Sequence, residues 1–135
     1  MIDYPADLPR DAAFELINGR TFHGRLTLAF FQLPDDYLDV GTDKASVALY
    51  TTGGNEGYMD RTDRLTVEVH APGTAAVLVA EAISSVLVNG GMPHDLDVGY
   101  VDEIRLDVTP YDVPFPGGGV NQARAVFLVT YRPTH

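Results

Sequence analysis

The chain has 135 residues, 45% of them hydrophobic, no cysteine, and nine basic against nineteen acidic residues for a formal charge of −10. That is the length of a single domain with a real core. The composition excludes disulfides, a cysteine nucleophile and the basic footprint of a direct nucleic-acid binder, though not an acidic wall past which DNA slides.

No apolar run approaches the ~20 residues that a membrane span needs. The start, Met1 to Arg10, has no basic opening, apolar run or small-residue cleavage site, so no signal peptide is expected. In chain order, Ala13, Leu16 and Ile17 recur at helical spacing and predict a helix over Arg10–Asn18. Pro9 suits its first turn, Asp11 complements the helix dipole, and Asn18-Gly19 is a stop. Leu26 to Leu33 is ambiguous. Leu26, Leu28 and Phe30 alternate as in a strand, while Phe30, Phe31 and Leu33 also fit a short helix. Pro34-Asp35-Asp36 ends it either way.

Val47 and Leu49 alternate with Ser46, Ala48 and Tyr50, predicting a strand over Ala45–Tyr50. Thr51–Gly57 reads as a loop rich in turn residues. Leu65, Val67 and Val69 then alternate with Arg64, Thr66, Glu68 and His70, the clearest half-exposed strand in the sequence. After Ala71-Pro72-Gly73, Thr74 is a candidate N-cap for a helix over Ala75–Val88. Its apolar stripe is Val79, Ile83, Val86 and Leu87, and Asn89-Gly90-Gly91 closes it. A strand is predicted over Tyr100–Thr109. A loop over Pro110–Gly119 follows, stiffened by three prolines and freed by three glycines. The last strand, Ala123–Arg132, is apolar on both faces, with Ala125, Phe127, Val129 and Tyr131 on one and Val126 and Leu128 on the other. That is the pattern of a central strand. The economical fold is α+β, with a mainly antiparallel sheet of four strands (five if Leu26–Leu33 joins) packed by two helices and long connecting loops.

Catalytic signatures are sparse. His94, Asp95 and Asp97 offer imidazole and carboxylate ligands for a metal, but no second histidine is near in sequence, and a polar turn after Pro93 explains them as well. Asp35, Asp36, Asp39 and Asp43 lack the one-apart ladder and closing glutamate of a calcium loop, so a solvated acidic loop is expected. Gly53-Gly54 and Gly117-Gly118-Gly119 do not open a helix after a strand, as a phosphate cradle must. No catalytic, cofactor or metal site is assigned. The contact candidates are instead Thr52, Gly53, Gly54 and Asn55 in one loop, and Tyr111, Val113, Phe115, Gly117, Gly118 and Gly119 in the other.

The run Asp63-Arg-Leu-Thr-Val-Glu-Val-His-Ala71 is followed by a helix carrying Ala80-Glu-Ala-Ile83 and by Val101-Asp-Glu-Ile-Arg-Leu-Asp107. The chain closes, after the proline-rich loop, on Ala123-Arg-Ala-Val-Phe-Leu-Val-Thr-Tyr-Arg132. With the Leu33-Pro34 segment and Val47-Ala-Leu-Tyr-Thr-Thr-Gly-Gly54 upstream, this plan resembles the tail terminator, or tail-completion, proteins of long-tailed bacteriophages. The likeness is greatest to those of siphophages of actinobacteria, and it covers the chain from about Pro34 onward. The resemblance implies a non-enzymatic virion protein without cofactor, at the head-proximal end of the tail, assembled in the host cytoplasm. Such proteins form a homohexameric ring that caps the tail tube protein, ends tube growth and offers a face to the head connector or stopper, while DNA passes through the lumen. Other neck or minor capsid proteins share the look. A small metal-dependent enzyme or binding module using His94, Asp95 and Asp97 is the alternative from a different class.

Overall fold

The computed structural model describes residues 8–31, 44–56, 61–91, 95–96, 99–113 and 120–133. Helix α1 is Leu8–Ile17, followed by strands β1 (Thr21–Phe22), β2 (Arg25–Phe30), β3 (Lys44–Glu56) and β4 (Arg61–Pro72). Helix α2 is Ala75–Val86 and runs into a π-helical turn, Leu87–Gly91. Strands β5 (Asp95–Leu96), β6 (Gly99–Val113) and β7 (Val120–Pro133) complete the order.

All strands join one sheet in the order β1-β2-β3-β4-β7-β6-β5. The α+β class and the two helices agree with the sequence reading, whereas the strand count and connectivity differ from it. Of the ambiguous run, Leu26–Phe30 lies in strand β2, which pairs parallel to β3, with Leu26 beside Lys44 and Phe30 beside Ala48. The sheet is therefore mixed. Every other pairing is antiparallel. Local alternation predicts strands but says nothing of which neighbour each one finds.

Strand β7 is central, as expected, with β4 on one side and β6 on the other. Its residues Ala123, Ala125, Phe127, Val129 and Tyr131 are all buried in phase with Leu65, Val67, Val69 and Ala71 of β4. This face meets both helices. Along α2 the buried Ala76, Val79, Ala80 and Ile83 recur at helical spacing, and the two alanines let the helix lie close to the strands. Helix α1 contributes Ala13, Leu16 and Ile17 to the same core.

Two chain reversals at the start use left-handed backbone. Gly19 (φ 80°) ends α1 as expected of a residue just past a helix. His23 (φ 51°) and Gly24 (φ 75°) form the two-residue reversal between β1 and β2, where Phe22 pairs with Arg25. The same region closes the outer side of β2. Gly19 N donates to Thr27 O at 2.8 Å, Thr27 N to Arg20 O at 2.9 Å, and Ala29 N to Asn18 Oδ1 at 3.1 Å.

Four local expectations are corrected. Thr51–Gly57 is not a loop up to Glu56. Strand β3 continues through Thr52, Gly53, Gly54 and Asn55, with a register shift between Thr52 and Asn55 that the two glycines accommodate. Strand β6 runs past Thr109 through Pro110, Tyr111 and Asp112 to Val113, with register shifts on either side of Val108. A proline is tolerated there because β6 is an edge strand over this length. Thr74 does not cap α2 with its hydroxyl. Its backbone is already helical (φ −73°, ψ −8°), which turns the side chain away from the free N–H groups. Finally, the α-helical ladder ends at Val86, two residues short of Val88.

Candidate functional site

The two contact segments read from the sequence sit at opposite ends of the sheet. Thr52, exposed, lies in the row Thr52–Arg64–Leu128–Arg105 across β3, β4, β7 and β6. Tyr111, 40% exposed, ends the row Ala48–Glu68–Arg124–Tyr111. Thr52 is thus three strands across from Tyr111, roughly 14 Å, and four residues along, roughly 13 Å. Gly53, Gly54 and Asn55 continue toward the β3–β4 hairpin end. Val113, half-buried, pairs with Gln122 at the β6–β7 hairpin end. Phe115, Gly117, Gly118 and Gly119 lie outside the described residues, as do the Asp35–Asp43 cluster, His94 and Asp97. Asp95 is in the short strand β5, which pairs with Tyr100. Among the described residues no group of three or more His, Cys, Asp or Glu is placed to hold a metal.

The sheet face turned away from the helices carries a polar network that sequence reasoning missed. Glu68 on β4 is its hub. Its Oε1 accepts from Gln122 Nε2 and, at 3.0 Å, from Arg124 Nη2, both on β7. Tyr50 on β3 feels the charge of Glu68, and Tyr111 on β6 stands opposite Arg124 in register. Burial, then the hydrogen bond and charge of Glu68, raise the Tyr50 pKa above its ordinary 10.0. The hydrogen bond to Glu68 is the first cause raising Arg124. Glu68 thus accepts from two residues on one oxygen and is ion-paired with one of them, Arg124. The alternation that puts Tyr50 and Glu68 on one side of their strands is legible in the sequence. The pairing of Glu68 with Arg124, 56 positions away, is not.

His70 lies on the same face, two residues from Glu68, and is only 5% exposed, not the surface position that its alternation implies. Burial lowers its pKa below the ordinary 6.5, against the opposing pull of Glu68 and together with the charge of Arg124. The folded state therefore favours neutral His70. Its contribution is complete above pH 6.5 and is lost as the pH falls from there toward the folded-state pKa, because the unfolded chain takes up the proton first. Urea unfolding at several pH values should show stability falling below pH 6.5, with His70 supplying at most about 1.4 kcal/mol for each pH unit. His70→Gln should flatten that slope; an unchanged slope would assign it to other groups.

Opposite His70 on β3 stands Ser46, fully buried, with no hydrogen-bond partner for its Oγ among the described residues. A buried hydroxyl left unpaired costs stability. Ser46→Ala should stabilise the fold by about 1 kcal/mol, raising Tm by roughly 3–5 °C in a thermal melt. A drop in Tm would mean that the oxygen has a partner.

A shallow depression of about 690 Å³ lies at the β6–β7 hairpin end of the sheet, between the His23-Gly24 reversal with Arg25 and the Gly73-Thr74-Ala75 start of α2. Asn121 Nδ2 braces its rim by donating to Gly73 O at 3.0 Å. It is wide open to solvent.

No family model matches the chain, and no curated protein matches it. No helix among the described residues is long and apolar enough to cross a membrane.

Proposed function

We propose that the chain is a structural assembly protein of a phage virion, a subunit of a hexameric ring that caps the tail tube and joins it to the head connector. The observation that carries this reading is the placement of the two contact segments. A capping ring meets the tube with one face and the connector with the other, so each subunit must present contact surface at both ends. Here the β3–β4 hairpin end and the β6–β7 hairpin end are opposite ends of one rigid sheet. The ladder between them is long, with twelve consecutive residue pairs joining β4 to β7 from Arg61–Tyr131 to Pro72–Val120. The finer identity, terminator and not another neck component, rests on the sequence resemblance. A charge of −10 suits a lumen through which DNA passes without sticking.

The test is to polymerise tail tube protein with and without the purified chain and to measure tube lengths and end density by electron microscopy. Addition should shorten the tubes and place a six-fold cap on one end. Phe115→Asp should remove the cap while circular dichroism shows an intact fold. Tubes of unchanged length with bare ends would refute the terminator assignment. A cap that survives Phe115→Asp would move the contact away from the β6–β7 loop.

A further inference from the structure

No further inference is drawn: the strongest candidate, the outer edge of β6 from Glu103 to Val113 with exposed Leu106, Val108 and Tyr111, is interrupted by two register shifts and Pro110, and nothing in the structure shows what covers it.

Discussion

Phe127→Ala is expected to destabilise the chain by about 3–5 kcal/mol, enough to remove much of the 5–15 kcal/mol that holds a typical domain together. Phe127 is fully buried in the central strand, opposite the fully buried Leu65 of β4. Truncation there loses the transfer energy of an aromatic ring and leaves a cavity that two flanking strands and α2 cannot easily collapse. Its other cross-strand neighbour is Leu106 on β6, which is 37% exposed. Leu106→Ala removes a large side chain from the adjacent position and should shift stability by no more than about 0.5 kcal/mol. Urea titration of both variants checks the contrast through the midpoint at constant slope. Similar losses at the two sites would mean that the β6 edge is as deeply packed as the centre, against the exposure of Leu106.

That contrast also separates what the sequence made legible from what it hid. The core phase of β7 and β4 was readable because Ala125, Phe127, Val129, Leu65, Val67 and Val69 alternate without interruption, and alternation is local. The central position of β7 was readable for the same reason, since Val126 and Leu128 make the second face apolar too; both are half-buried. Strand lengths were less legible. Gly53-Gly54 and Pro110 are turn residues by propensity, yet tertiary pairing carries β3 and β6 through them by means of bulges. Parallel pairing of β2 with β3 could not be read at all, because the same alternating run serves either direction.

The face away from the helices shows the same limit at the level of chemistry. Glu68 and His70 occupy the polar phase of β4, which predicts exposure. Instead His70 is buried and Glu68 is engaged with two residues of β7, because neighbouring strands shield what a lone strand would expose. By sequence the contact candidates Tyr111 and Val113 fall in a proline-rich loop. They belong to strand β6.

The second large effect is expected at Asp63, a carboxylate that the alternation of β4 places on the core side, in phase with Leu65 and Val67. It is 4% exposed. Tyr131 Oη donates to its Oδ2 at 2.7 Å from β7, and Arg61 Nε to its Oδ1 at 3.0 Å from two residues away on β4. Arg61 is 39% exposed, so water screens that ion pair and its share is small. The Tyr131 bond is the larger contribution, since both partners are buried and the acceptor is charged. Asp63→Ala should therefore cost about 2–4 kcal/mol, the sum of a lost charged hydrogen bond and of a buried phenol deprived of that acceptor. Tyr131→Phe should cost about 1–2 kcal/mol, because Asp63 keeps Arg61. The two changes should be strongly non-additive. A double-mutant cycle on urea unfolding is expected to return a coupling of about 1–3 kcal/mol. A coupling under about 0.5 kcal/mol would mean that the hydrogen bond contributes nothing net and that Asp63 is retained at the end of β4 for its pairing with Arg61 alone.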